Sequence, residues 1–183
     1  MKQRDILIVV GSLRADSINR RLAGALKKCL PPHFAAHDAE LDLPLFNQDD
    51  EHSPTPAVSA FKQQVARADG LIFVTPEHNR SVPAALKNAL DWGSRPPGES
   101  VWSGKPAGVL GTSTGGPGTA LAQQHLRNIL VCLGVDTLST PEVFLQMKEG
   151  LIDAHSNITD PRTEAFLQKW VDRYVAWVER LAA

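Results

Sequence analysis

A chain of 183 residues with 43% hydrophobic and 21% charged side chains has the size and composition of one globular domain, expected to span residues 1–183. Its 19 basic and 20 acidic residues leave a formal net charge of -1, which argues against the clustered cationic surface of a nucleic-acid module. The apolar run Ile6–Val10 is far shorter than the ~20 residues that cross a bilayer and has no signal-peptide cleavage pattern, so a cytoplasmic protein is expected. Cys29 and Cys132 form no CxxC pair and read as small hydrophobes within helices.

Ile6-Leu7-Ile8-Val9-Val10 is a continuous β-prone run ending at Gly11, the pattern of a strand covered on both faces. From Asp16 the period changes: Ile18, Leu22, Leu26 and Leu30 recur every fourth residue until Pro31-Pro32 stops the helix. Phe34–Leu41 predicts a second strand, residues 42–56 a polar excursion, and Val58, Phe61 and Val65 a helix ending near Asp69-Gly70. Leu71–Val74 predicts the third strand, and Pro83 opens a helix carrying Leu86, Ala89 and Leu90 that stops at Gly93.

Ala107–Gly111 predicts the fourth strand, followed by a glycine-rich loop and a helix over Ala120–Leu133 capped by Gly134. Val135–Leu138 supplies a fifth strand. Asp160-Pro161 opens a last helix, with Phe166, Trp170, Tyr174, Trp177 and Leu181 as its buried stripe. Strict alternation of strands and helices predicts an α/β three-layer sandwich on a parallel sheet. In such sheets ligands sit beyond the carboxyl ends of the strands, so the loops after strands one, three and four hold the chemistry.

The first of these loops, Gly11-Ser12-Leu13-Arg14-Ala15-Asp16-Ser17-Ile18-Asn19, is not a dinucleotide GxGxxG. Hydroxyls, an amide and a guanidinium at a helix N-terminus make a donor set for a terminal phosphomonoester. The same residues also serve plain structural ends, with Ser17 or Asp16 capping the helix and Arg14 solvated. The third loop reads Thr75-Pro76-Glu77-His78-Asn79-Arg80-Ser81-Val82-Pro83 and continues into Leu86-Lys87-Asn88-Ala89-Leu90-Asp91-Trp92. Taken together, the two loops closely resemble those of the NADPH-dependent FMN reductases, flavodoxin-like oxidoreductases that include bacterial quinone, azo-dye and chromate reductases.

The resemblance runs from about Ile6 to Glu142 and implies a flavodoxin-like five-stranded sheet of order 2-1-3-4-5. It implies noncovalent FMN, its phosphate held by Ser12, Arg14, Ser17 and Asn19. Pro76, Glu77, His78 and Asn79 would line the ring, with Ser113, Thr114, Gly115 and Gly116 against its other side. Hydride would come from NAD(P)H and pass to quinones, azo compounds, chromate or free flavin, with no catalytic side chain required. The protein would form a homodimer or homotetramer in which Arg127 and Glu142 pair between subunits. Two departures stand out: relatives carry Tyr at the position of His78 and often an aromatic at that of Arg80. An imidazole there can modulate the site, and Arg80 can attract an anionic substrate or a nucleotide phosphate.

Other assignments compete. Gly111-Thr112-Ser113-Thr114-Gly115 matches the GxSxG of a serine hydrolase, with Asp136 or Asp153 and then His155 completing a triad in chain order. A flavodoxin-type electron carrier would keep the flavin without the enzyme, though a net charge of -1 offers little steering. His33 and His37 lack a third ligand for a metal and read as a surface pair. Gly104-Lys105 lacks the Ser or Thr of a P-loop, and Trp170 and Trp177 read as core or interface anchors.

Overall fold

The computed structural model describes residues 2–181. Its sheet is parallel, with β1 (Arg4–Val10), β2 (Phe34–Asp38), β3 (Gly70–Val74) and β4 (Pro106–Ser113) in the order β2-β1-β3-β4. The fifth position is shared by two short strands. β5 (Asp136–Thr137) pairs with Pro106 and Ala107 at the start of β4, and β6 (Phe144–Gln146) pairs with Gly111, Thr112 and Ser113 at its end. The order 2-1-3-4-5 therefore holds, but the expected strand over Val135–Leu138 is only two residues long and the sixth strand went unread. Its period-two signal, Val143, Leu145 and Met147 inward, spans too few residues to stand out between Pro141-Glu142 and Lys148-Glu149-Gly150. β4 also runs on through Thr112 and Ser113, which the sequence reading had placed in a loop.

Helices α1 (Ile18–Cys29) and α5 (Pro161–Leu181) cover one face, and α2 (Pro56–Arg67), α3 (Ala84–Gly93) and α4 (Ala120–Cys132) the other. Along β1, Ile6, Ile8 and Val10 enter the first core and Leu7 and Val9 the second. Burial on both faces is why the strand reads as an unbroken apolar run: no position is left for a polar residue. Ser17 caps α1, its Oγ accepting from the Arg20 N–H at 3.4 Å, and Asp160 caps α5, accepting from the Thr163 N–H at 2.7 Å. Lys105, from the rejected P-loop match, closes the end of α2 by donating to the carbonyls of Ala66 and Ala68.

The buried stripe of α5 is rotated from the expected one. Trp170 and Tyr174 are buried and stack with centroids 5.4 Å apart, but Phe166 and Leu181 are exposed and Trp177 is only half-buried. Leu167, Val171 and Val178 take the inner face instead. The aliphatic residues lie nearer the centre of the stripe than Phe166 and Trp177. Both cysteines lie in helices as expected, Cys29 half-buried at the end of α1 and Cys132 exposed at the end of α4. Gly108 makes room for the stack, since a Cβ there would stand 2.6 Å from Trp170.

Among the described residues the Tyr174 hydroxyl is buried without a hydrogen-bond partner. Burial pushes its pKa well above the ordinary phenol value. The folded state thus favours neutral phenol, a contribution complete below the unfolded tyrosine pKa of about 10 and lost as pH climbs above it. Tyr174→Phe is expected to stabilise the protein at neutral pH by about 1 kcal/mol in urea denaturation and to flatten the decline in stability above about pH 10. A loss of stability at pH 7 would contradict the unpaired hydroxyl.

Candidate active site

At the carboxyl ends of β1, β3 and β4 the three loops meet around a cavity of about 260 Å³. Its walls are Ser12, Arg14, Ser17, Ile18 and Asn19 from the first loop and α1, Pro76, Glu77 and His78 from the third, and Thr112, Ser113 and Thr114 from β4 and its loop. Gly11 permits the convergence: a Cβ there would come within 2.9 Å of Pro83 and 3.1 Å of Pro76. Its N–H donates to the Val74 carbonyl at 3.0 Å, and Thr75 N–H donates to Leu110 at 2.9 Å, so the ladder runs right up to the cavity.

The first-loop residues divide by role. Ser17 is buried and its Oγ accepts the cap bond, which leaves its O–H to donate outward. Arg14 is exposed and has no ion-pair partner among the described residues, and Ser12 is half-buried. Asn19 differs from expectation. Its amide is buried and closed onto the main chain of Thr112, Nδ2 donating to the carbonyl at 2.9 Å and Oδ1 accepting the N–H at 3.0 Å. It lines the cavity, but its side chain ties α1 to the end of β4.

Glu77 also has a structural bond that local sequence does not announce. Thr119 enters α4 with a left-handed φ of 75° and offers no side-chain cap. Instead Glu77 Oε2 accepts the N–H groups of Leu121 and Ala122, each at 3.0 Å, from 44 and 45 positions away. A carboxylate at a helix N-terminus satisfies orphan donors and meets the positive end of the dipole. Gln123, which the sequence reading passed over, completes the junction, donating to Thr119 Oγ1 at 2.9 Å and to the Val143 carbonyl at 2.8 Å.

Beyond Glu77 the chain reverses in a two-residue hairpin turn. His78 and Ser81 exchange both main-chain bonds, at 3.1 and 3.0 Å, and Asn79 and Arg80 stand at φ 50° and 63°. Left-handed values at both central positions are those of a type I′ turn. Ser81 Oγ lies 3.0 Å from His125 Nδ1 on α4, a second tie to that helix. His78 is exposed and lines the cavity, while Asn79 is exposed and outside its wall.

The motif that follows on α3 serves the fold. Asn88 accepts from the Phe46 N–H at 2.7 Å and donates to Pro44 O at 2.9 Å, and Trp92 Nε1 donates to the same carbonyl at 2.8 Å. One turn apart, the two side chains strap the segment after β2 to the helix.

On the third wall, Ser113 Oγ accepts the Gly115 N–H at 3.0 Å, and Gln146 donates to Thr114 O at 3.0 Å. Gly115 and Gly116 are exposed and outside the cavity wall, and a Cβ on Gly116 would meet nothing within 4 Å. Gly118 is different: at φ 57° its Cβ would stand 2.5 Å from the main chain of Phe144. The fold therefore requires glycine at 118 and leaves open space at 116, while a Cβ at 115 would make ordinary contact with Ser113 at 3.4 Å and Pro117 at 3.8 Å. Ser113 lies in strand β4 and is absent from the left-handed residues, without the strain of a nucleophile elbow. His155 is exposed in a loop where its N–H donates to Asp153, and no imidazole bonds Ser113 among the described residues.

His33 and His37 engage separate carboxylates, Glu179 at 3.2 Å and Asp5 at 3.4 Å. Arg127 Nε lies 3.8 Å from Glu142 within one chain, and its Nη1 donates to the Leu138 carbonyl at 2.8 Å. The two side chains therefore face each other within one subunit, while Arg127 Nε and Nη2 are buried without a hydrogen-bond partner among the described residues. Burial lowers the Arg127 pKa and Glu142 opposes the shift.

Residues 4–150 match the family model described as NADPH-dependent FMN reductase. The chain belongs to this family. It is 49% identical over 174 residues to a 2-hydroxy-1,4-benzoquinone reductase of a Burkholderia species, covering 94% of this chain and 95% of that one. A quinone reductase of Pseudomonas putida is 43% identical over 176 residues, covering 95% of this chain and 94% of the relative. Among solved structures, a flavoenzyme NAD(P)H:(acceptor) oxidoreductase from Paracoccus denitrificans superposes with a TM-score of 0.93 at 39% identity, covering 97% and 98% of the two chains. In this FMN reductase the three loops that carry the motifs are the three that meet at the cavity.

Glu77→Ala strips the charged acceptor from two main-chain donors of α4. It is expected to cost about 1–2 kcal/mol in chemical denaturation, with Glu77→Gln losing less because it keeps an acceptor oxygen. Equal stability of the alanine variant and the parent would contradict the capping role.

Proposed function

We propose that the protein is an FMN-dependent NAD(P)H oxidoreductase that delivers electrons to quinones. The observation that carries this reading is the meeting of Ser12, Arg14 and Ser17 with the start of α1 at one wall of the cavity. Hydroxyl donors, a guanidinium and the helix N-terminus suit a dianionic phosphoryl group. At about 260 Å³ the cavity lies below the usual ~300–1,000 Å³ of a small-ligand site, so it suits the phosphoryl end and leaves a flat ring to the loop surfaces. The clear space at Gly116 fits such a ring, and no acid among the cavity-lining residues other than Glu77 opposes an anion.

Bound FMN supplies two-electron chemistry, taking a hydride from NAD(P)H and returning the electrons to an acceptor. The chain's part is to hold and orient. Arg14, Ser12 and Ser17 secure the anionic end, and the segment Pro76–His78, stiffened by the Glu77 and Ser81 ties to α4, presents a fixed edge. The Burkholderia relative's name makes a hydroxylated benzoquinone the first acceptor to assay.

The same reading includes a homodimer or homotetramer in a reducing, cytoplasmic setting. No helix of the described residues is long and apolar enough to cross a membrane, and both cysteines are free. A groove of about 800 Å³ between α3 and α4, lined in part by Val82, Ala84 and Ile129, gives a second copy an apolar surface to cover. Sedimentation is expected to show two or four copies, and a persistent monomer would exclude this part of the reading.

The purified protein is expected to show flavin absorption after FMN addition, bleached by NAD(P)H without oxygen and restored by a quinone. The double variant Arg14→Ala/Ser17→Ala is expected to bind FMN about 10- to 100-fold more weakly, the loss of one or two charge-assisted hydrogen bonds. Unchanged affinity would overturn the phosphoryl assignment.

A further inference from the structure

We infer that Arg80, carried on the hairpin turn beside His78, determines acceptor specificity by favouring quinones whose ring hydroxyl is ionised. The inference rests on the quinone-reductase reading above and deepens it. In a 2-hydroxy-1,4-quinone the hydroxyl is conjugated through the ring to a carbonyl, a vinylogous carboxylic acid, so at neutral pH the molecule is an anion while 1,4-benzoquinone is uncharged. One wall can therefore tell the two apart by charge alone.

The acid that lines the cavity and one on α3 are both engaged, and Asp16, exposed beside Ser17, lies on the opposite loop. Glu77 is the one acid among the lining residues, and its Oε2 is turned into the first turn of α4 by two 3.0 Å bonds. Asp91 on the neighbouring helix is paired with Lys87 at 2.7 Å. Arg80 is exposed and has no ion-pair partner among the described residues, and it stands two positions from the lining residue His78. Arg14 is the one guanidinium among the lining residues, on the opposite loop, where the proposed function assigns it to the phosphoryl group.

The backbone points the same way. Arg80 holds φ 63° at the second centre of a type I′ turn, a place glycine fills without steric cost. Asn79 beside it tolerates the left-handed region, whereas a long unbranched cation has no local reason to be there. A non-glycine residue at such a φ, two positions from a cavity-lining side chain, motivates a functional role. The turn is also rigid, closed by reciprocal main-chain bonds and tied to α4 through Ser81 and His125. A guanidinium on such a support loses less freedom on meeting an anion than one on a free loop.

The overall reaction balances with one extra proton for the anion. A hydride from NAD(P)H and one proton convert 1,4-benzoquinone to its hydroquinone. A hydride and two protons from solvent convert the hydroxyquinone anion to the neutral trihydroxybenzene.

The test compares FMN-loaded wild type with Arg80→Gln, Arg80→Gly and Arg80→Lys. The readout is the ratio of kcat/KM for 2-hydroxy-1,4-benzoquinone to that for 1,4-benzoquinone at neutral pH. The ratio is expected to fall about tenfold in the Gln and Gly variants, to be largely kept by Lys, and to shrink for wild type in about 0.5 M salt. Arg80→Gly relieves the left-handed backbone, so a change in ratio there cannot be assigned to misfolding. Titrating the hydroxyquinone into the oxidised holoenzyme, followed by flavin absorbance, is expected to give a parallel loss of affinity without turnover. An unchanged ratio and an unchanged Kd in both uncharged variants would overturn the inference. If wild type reduces neither quinone, the quinone-reductase reading fails by itself, and the titration still decides the role of Arg80.

Discussion

The amide of Asn19, closed in both directions onto the main chain of Thr112, is the constraint on which the site depends. It joins the second residue of α1 to the end of β4 inside the protein, where an unpaired donor or acceptor would be costly. Because α1 begins where it does, Ser17 caps the helix and its hydroxyl faces the cavity. Because β4 ends where it does, Ser113 and Thr114 stand across from the first loop. One side chain thus sets the spacing between two of the three walls.

The wall formed by the loop after β3 is held by charge rather than by a neutral amide. Glu77 belongs to the loop after β3, yet its carboxylate answers the unsatisfied N–H groups of α4. A residue in the motif of a cofactor-binding family is therefore also a helix cap, and variants at this position will mix binding with stability. His125 and Ser81 repeat the connection one turn further along α4, so the hairpin carrying His78 and Arg80 moves only if that helix moves with it.

The strand order and the three-loop location of the site were legible because both rest on local signals. Apolar runs such as Ile6–Val10 and Leu71–Val74 mark strands covered on both faces, and the chain order of helices between them leaves few topologies. Ser12, Arg14 and Ser17 were legible as donors because their types and spacing state the chemistry. What stayed hidden depends on distance along the chain. Nothing near Glu77 or Asn19 signals a partner 44 or 93 residues away, so both read as ligand-facing side chains. β6 escaped because three residues carry too little periodicity, and the inner face of α5 was misjudged because aromatic bulk outweighed the position of Leu167, Val171 and Val178.

The missing local cap of α4 has a further meaning. Thr119 and the glycine before it carry the chain into the helix in left-handed conformations, so the segment by itself has no instruction for where its first turn begins. That instruction is lent by a carboxylate from the preceding β–α unit. The helix is not an independent module: excised as a peptide it would fray at its start, and in the whole chain it inherits its first turn only once the strands beneath have brought Glu77 into place.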